Sequence, residues 1–274
     1  MIRASFNDGW EYRPKVSRHA ELMGGAVEWT AVTLPHDAMI GSDRSPSATA
    51  ASGYFPGGAW EYRRSLDVPL ERAGDQFVLV FEGVQRNAVV TVNGAIVAQR
   101  PYGYSTFHVP IGHLLRVGAE NEINVSARAG DDSRWYTGGG IHRNVWLLHS
   151  GAIHLAPDGV VVRTPEIDDA GAVVTVEAIV RNRSTSSSTA LLRVEVIDDT
   201  GAVVSVDEAG VTSFPGDELT VRRRLFVTDP KRWEPGAPHL YDCRLSLIDA
   251  DAVLDEHSLT FGIRSLSLDP QRSG

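Results

Sequence analysis

Residues 88–98 read Ala-Val-Val-Thr-Val-Asn-Gly-Ala-Ile-Val-Ala, and this stretch predicts a β-hairpin. Two apolar runs, Ala88 to Val92 and Ala95 to Ala98, flank the dipeptide Asn93-Gly94. Asn-Gly is the preferred pair for a two-residue type I′ turn, because both positions accept a positive φ. Antiparallel β-sheet is therefore expected here.

Similar short apolar runs continue in both directions from the hairpin. Those of the first half are Phe77 to Phe81, Thr106 to Val109, Ile123 to Ala127 and Asn144 to Leu148. Past about Ile153 the chain has fewer aromatic residues, and the runs are Val173 to Val180, Leu191 to Ile197, Leu219 to Val227, Asp242 to Ile248 and Ser258 to Phe261. Short strands separated by polar turns, without a helical period, are typical of β-sandwiches. The prediction is an all-β chain, a larger sandwich followed by a smaller one that is immunoglobulin-like.

The charge balance excludes several classes of partner. The 274 residues carry 35 acidic and 26 basic side chains, a net charge of −9, and no basic tract stands out. Nucleic acid and anionic membrane are therefore not expected as partners. The lone Cys243 cannot form an internal disulfide, and no run approaches the ~20 apolar residues of a membrane span. We expect a cytoplasmic protein.

Residue constellations that carry chemistry are missing. The nine histidines show no metal-ligand spacing, and no nucleophile elbow, phosphate loop or dinucleotide fingerprint occurs, so no metal or cofactor is expected in this chain. A glycosidase needs a pair of carboxylates. The candidate pairs are Asp131-Asp132, Asp168-Asp169, Asp198-Asp199 and Asp255-Glu256. All lie in polar turn contexts, where solvated turns are the simpler interpretation, and no catalytic residue is assigned.

The stretch from Ser133 to Leu148 is the most unusual in the chain. It places Trp135 and Tyr136 just before three consecutive glycines, Gly138-Gly139-Gly140, and an apolar strand follows. Glycines permit a tight, irregular turn that could present the two aromatic rings to a ligand. The glycines precede a strand, so they cannot use the N-terminus of a helix to hold phosphate.

Several sequence blocks occur together in one order. They are Leu34-Pro35-His36-Asp37, Gly53-Tyr54-Phe55-Pro56-Gly57-Gly58, Phe81-Glu82-Gly83-Val84, Arg134-Trp135-Tyr136, Gly140-Ile141-His142-Arg143-Asn144-Val145, Pro230-Lys231-Arg232-Trp233-Glu234-Pro235 and Phe261-Gly262-Ile263-Arg264. In letters, order and spacing they resemble the N-terminal part of glycoside hydrolase family two, and among its members the β-galactosidases most. The resemblance covers essentially the whole chain.

The resemblance implies a fold and an activity. It implies a galactose-binding-like jelly-roll sandwich in residues 1–152 and an immunoglobulin-like sandwich in residues 153–274. In the family a (β/α)8 barrel follows and carries both catalytic glutamates, and a barrel takes about 250 residues. This chain ends soon after Phe261-Gly262-Ile263-Arg264, where that barrel would begin. We therefore expect a non-catalytic N-terminal portion of a retaining β-glycosidase, inactive alone.

The expected partners follow from the same resemblance. They are the catalytic barrel and, through the complete enzyme, a β-galactoside or another glycan with a terminal β-linked sugar. A homo-oligomer and a divalent metal in the complete enzyme stay open. Two alternatives also stay open, a free-standing carbohydrate-binding module and a structural sandwich pair.

Five residues are the candidate rim of the sugar subsite. In the family, loops of the first domain reach over the mouth of the barrel, and the residues in the matching blocks are His36, Asp37, Arg134, Trp135 and Tyr136. Aromatic faces against C–H surfaces and charged groups on hydroxyls suit sugar recognition. The alternative is structural: the two aromatic residues are buried, and His36-Asp37 caps a turn.

Overall fold

The computed structural model describes residues 1–17, 19, 23, 25, 27–130, 135–168, 170–250 and 252–266. Within these residues the chain is mainly β-strand. It forms two compact units, one of Ile2–His149 and one of Ser150–Gly274 together with Met1. No helix in the described part of the chain has the length and hydrophobicity that crossing a membrane requires.

The first unit is a sandwich of two antiparallel sheets. Its strands are β1 Ile2–Ser5, β2 Trp10–Pro14, β3 Thr30–Val32, β4 Gly58–Val68, β5 Gln76–Phe81, β6 Ala88–Val92, β7 Ala95–Arg100, β8 Phe107–Pro110, β9 Ala119–Ala129 and β10 Val145–Ser150. Three 3-10 turns lie at Ala50–Ser52, Leu70–Arg72 and Gly112–Leu114. One sheet has the order β3-β2-β4-β9-β6-β7, and the other has the order β1-β10-β5-β8.

The hairpin predicted from Asn93-Gly94 is confirmed. Strands β6 and β7 pair antiparallel, with Val92 opposite Ala95 at the turn. Asn93 and Gly94 have φ values of 50° and 83°, the positive values that a type I′ turn requires. The alternation of this segment therefore places Val90 and Val92 in the core, where both are fully buried.

The second unit is a smaller sandwich. Its strands are β11 Ile153–Ile167, β12 Gly171–Asn182, β13 Ser188–Ile197, β14 Val203–Ser213, β15 Glu218–Thr228, β16 Trp233–Glu234, β17 Ala237–Pro238, β18 Tyr241–Asp249 and β19 Ala252–Phe261. A three-stranded sheet, β11-β12-β15, faces a four-stranded sheet, β14-β13-β18-β19. The lone Cys243 lies fully buried among the aliphatic side chains between them.

The predicted all-β fold class, a jelly-roll sandwich followed by an immunoglobulin-like one, is confirmed. In the second unit, the long strands β11 and β14 were not predicted from the sequence. Strand β11 contains Pro157, Gly159 and Pro165, and its pairing with β12 shifts register twice. Proline and glycine inside a run argue against a regular strand, and here irregular pairing accommodates them.

Candidate functional site

The three glycines that follow the aromatic pair are packed against the core of the first unit. Gly140 exchanges two backbone hydrogen bonds with Gln85, of 2.7 and 2.8 Å. Its φ is 97°, and a Cβ atom there would collide with the hydroxyl of Tyr62. A Cβ atom on Gly139 would overlap the ring of Trp60. Glycine is therefore required for backbone to pass this close to two large rings.

The segment that carries His36 and Asp37 runs beside these glycines. The amide of His36 donates to the carbonyl of Ile141 at 2.8 Å, and the amide of Ala38 donates to the carbonyl of Gly139 at 2.8 Å. Two segments that are distant in sequence are thus joined by backbone hydrogen bonds. This pairing brings His36 and Asp37 next to the Trp135 loop, by which we mean residues 135–140.

Asp37 fixes the base of the Trp135 loop with both carboxylate oxygens. Oδ1 accepts hydrogen bonds from the amides of Gly139, at 2.9 Å, and of Met39, at 3.0 Å. Oδ2 accepts the hydroxyl of Tyr136 at 2.6 Å. Hydrogen bonds to an ionised carboxylate are shorter and stronger than neutral ones. Burial makes the largest contribution to a raised pKa of Tyr136, and the hydrogen bond to Asp37 raises it further. The hydroxyl therefore stays protonated and donates.

His36 is held between two tyrosines. Its Nδ1 lies 2.9 Å from the hydroxyl of Tyr62, and its ring centroid lies 4.3 Å from that of Tyr12. Burial lowers the pKa of His36, and the nearby charge of Asp37 partly opposes this change. The imidazole is therefore neutral at pH 7, which suits an aromatic and hydrogen-bonding environment rather than an ion pair.

Trp135 is the exposed aromatic ring of the candidate rim. It is 62% exposed, whereas Tyr136 is partly buried with its ring 5.7 Å from that of Phe55, edge to face. Arg134, the fifth predicted residue, lies outside the described residues. Asp37 and Tyr136 are thus hydrogen-bonded to each other, and His36 packs between Tyr12 and Tyr62. Trp135 faces solvent.

Two family models match the chain, one in each unit. The model described as "Glycosyl hydrolase 2 galactose-binding domain-like" matches residues 50–134, and the one described as "Glycosyl hydrolases family 2" matches residues 154–264. The chain belongs to glycosyl hydrolase family 2. The predicted resemblance is confirmed, and each sandwich contains a segment that matches a model of this family.

Relatives within the family include enzymes of two named activities. A β-galactosidase of Bacteroides ovatus is 31% identical over 98% of this chain and 32% of its own length. A β-glucuronidase of Formosa agariphila is 25% identical over 95% of this chain and 29% of its own length. The crystal structure of a family 2 member from Bacteroides cellulosilyticus superposes with a TM-score of 0.87 at 29% identity, over 97% of this chain and 36% of that one. The chain spans about a third of the length of these relatives.

Sequence reasoning identified the family blocks but missed the residues that support them. Tyr12 and Tyr62, which flank His36, lie on β2 and β4 far from it in sequence. Tyr62 belongs to the block Trp60-Glu61-Tyr62-Arg63, which also resembles the family, but nothing in the sequence links it to His36. No three His, Cys, Asp or Glu side chains come together as a metal site among the residues that the structure describes.

Proposed function

We propose that this chain is the non-catalytic N-terminal portion of a retaining β-glycosidase of the β-galactosidase type. Residues 1–152 form its jelly-roll domain and residues 153–274 its immunoglobulin-like domain. The catalytic carboxylates would come from the family's barrel, and the substrate would be a glycan with a terminal β-linked sugar. A cytoplasmic location stays a prediction from the sequence.

The observation that carries this proposal is the division of roles within the Trp135 loop. Asp37, whose carboxylate accepts three hydrogen bonds, and Tyr136 fix the base of the loop. His36 fixes the adjoining segment through Tyr62. Trp135, the residue before Tyr136, is 62% exposed. An aromatic ring presented from a rigid base suits contact with the C–H face of a sugar.

Of the five rim residues, we assign sugar contact to Trp135 and Arg134, and positioning to His36, Asp37 and Tyr136. We do not assign sugar contact to all five residues, because the carboxylate of Asp37 already accepts hydrogen bonds from the protein's own donors. Loss of Asp37 would therefore displace the loop, whereas loss of Trp135 would remove a ligand surface and leave the loop base unchanged.

The experiment has two parts. The purified chain, assayed on nitrophenyl β-galactoside and β-glucuronide, should give no turnover above buffer. In a polypeptide that joins this chain to a family barrel, Trp135→Ala should lower kcat/KM about tenfold, equivalent to ~1.4 kcal/mol, chiefly through a higher KM. Tyr102→Ala, which removes an aromatic ring that is 61% exposed elsewhere on the unit, is the matched control and should change neither constant.

Each part can contradict the proposal. Turnover that stays with the purified chain through successive columns would show that catalytic groups lie within these residues. Equal kcat/KM values for the Trp135→Ala and Tyr102→Ala polypeptides would remove the Trp135 loop from the substrate site.

A further inference from the structure

A groove crosses the solvent-facing side of the six-stranded sheet in the first unit. It consists of three adjoining concavities of about 740, 460 and 500 Å³, which we call together the outer-face groove. The first and second share Lys15 and Ser126, and the second and third share Arg63 and Glu122. Along β4 it extends from Gly58 to Ser65, roughly 23 Å at about 3.3 Å per residue.

Eight outward-facing side chains, all polar except Val89, form the floor of the outer-face groove in two rows across the strands. The first row is Glu11, Arg63, Asn124 and Thr91, and the second is Arg13, Glu61, Ser126 and Val89. The opposite face of the same strands carries the buried core, so alternation sends these residues outward. A row of carboxylate, guanidinium, amide and hydroxyl groups offers donors and acceptors at the spacing of adjacent strands.

The charges of the outer-face groove largely cancel one another. Glu61 pairs with Arg13 at 2.9 Å and with Lys15 at 3.4 Å, and Glu11 pairs with Arg63 at 2.7 Å. A groove of balanced charge has no field that attracts a polyanion or a strongly cationic segment. Its hydrogen-bonding groups therefore suit an uncharged, hydroxyl-rich molecule.

Trp29 adds an aromatic wall to the groove. Its ring lies 4.5 Å from the guanidinium of Arg13 and 4.3 Å from that of Arg63, in cation–π geometry. Both guanidiniums are in turn held by carboxylates across β2 and β4, so the indole is fixed in place. A fixed indole beside hydroxyl and amide groups is the combination that binds the apolar face and the hydroxyls of one sugar ring.

We propose that the outer-face groove binds a neutral oligosaccharide of several rings. Trp29 contacts one ring, and Thr91, Ser126 and the amide oxygen of Asn124 bind hydroxyls of the rings beside it. The Nδ2 of Asn124 donates to Glu122. The length of the groove exceeds what one monosaccharide would fill. The proposal rests on residues separate from the Trp135 loop, so it does not depend on the function proposed for that loop.

The test is calorimetric titration of the 274-residue chain with cellotetraose, xylotetraose and β-1,4-galactotetraose, each at up to about 10 mM because carbohydrate affinities are weak. At least one tetrasaccharide should bind saturably and at least about tenfold more tightly than its monosaccharide. Trp29→Ala should weaken that binding at least tenfold, and Asn124→Ala several-fold. Asn124→Ala changes one partly exposed side chain on a central strand. It provides a second test of the groove if Trp29→Ala does not fold.

Tyr102→Ala is the control and should bind as the unaltered chain does. Absence of saturable binding by all three probes would overturn the proposal, as would equal binding by a folded Trp29→Ala variant and the unaltered chain. Loss of binding in Trp135→Ala alone would assign the sugar to the Trp135 loop instead. A dimer in sedimentation that Trp29→Ala dissociates, without sugar binding, would assign the groove to a second copy of the chain.

Discussion

The two sandwiches are built with different side chains although both are all-β. The first has large aromatic residues at its centre, among them Trp10, Tyr62 and Phe81, each at most 1% exposed. The second is filled with valine and leucine, such as Val174 and Leu192, both fully buried. Large rings leave irregular space that particular neighbours must fit, whereas aliphatic residues on alternating strands can substitute for one another more freely.

The polar contacts differ less, since both units carry ion pairs on an exposed sheet face. In the first unit the carboxylate of Asp37 accepts three hydrogen bonds that fix a loop. In the second, ion pairs extend over an exposed sheet face, where Glu177 contacts Arg163 at 2.9 Å and Arg222 at 3.3 Å. Contacts of particular aromatic residues thus determine the core of the first sandwich, whereas the alternating aliphatic pattern determines the core of the second. Substitutions in each unit can test this difference.

Gly140→Ala should have the largest effect on stability. The new Cβ atom would collide with the hydroxyl of Tyr62 at a backbone φ of 97°, so we expect the free energy of unfolding of the first unit to fall by at least about 3 kcal/mol. Urea unfolding followed by tryptophan fluorescence measures this, because Trp233 is the only tryptophan outside the first unit.

Gly94→Ala is the matched control for Gly140→Ala. Gly94 also has a positive φ, of 83°, but a Cβ atom there would meet nothing within 4 Å. Only the backbone cost remains, about 1 kcal/mol. Equal losses in the two variants would mean that the close packing of Gly140 against the aromatic core does not matter.

His154 should give the second unit a pH-dependent stability. Burial lowers the pKa of His154 to about 4, and its Nδ1 lies 3.1 Å from the carbonyl of Gly151. The unfolded chain, with a pKa near 6.5, then binds more protons between pH 6.5 and 4. The free energy of unfolding should fall as the pH is lowered through this window, by up to about 3 kcal/mol.

His154→Gln should reduce this slope. Urea unfolding followed by circular dichroism at about pH 7, 5.5 and 4.5, which span the window, measures it. His239→Gln, a change at an exposed histidine of the same unit, is the control. If the unfolding free energy of His154→Gln depends on pH as that of the unaltered chain does, groups other than His154 cause the acid sensitivity of the second unit.

Arg222→Ala should have the smallest effect. The side chain of Arg222 is 75% exposed, and Glu177 keeps Arg163 as a partner after its removal. Exposed ion pairs contribute little, so we expect a loss below about 0.5 kcal/mol in thermal unfolding. A loss above about 1 kcal/mol would show that the second sandwich also depends on individual polar contacts.

The sequence predicts this fold well where the pattern is local. The Asn93-Gly94 hairpin needs only its own residues, and β12 alternates between core and surface with little interruption. Strand β14 was missed because it is the edge strand of its sheet, and its apolar Val203 and Val206 face solvent while polar residues follow them. Edge strands have one partner fewer, so burial constrains their pattern less.

The candidate site was predictable only in part for a similar reason. The blocks around His36 and Trp135 stand out in the sequence, and the structure places their segments side by side. Contacts such as the hydrogen bond between Asp37 and Tyr136 decide which residues hold the Trp135 loop in place and which are exposed. Such contacts join distant parts of the chain, and no local period encodes them.

The single thiol gives the second unit a chemical signal of its own. Cys243 is fully buried, and burial raises its pKa to about 12, so a thiol reagent meets neither an accessible sulfur nor a thiolate while that unit is folded. Labelling of Cys243 can proceed only at the frequency with which the second sandwich opens. Tryptophan emission meanwhile follows mainly the first. The reactivity of Cys243 and tryptophan fluorescence thus report the opening of the two sandwiches separately, without any introduced probe.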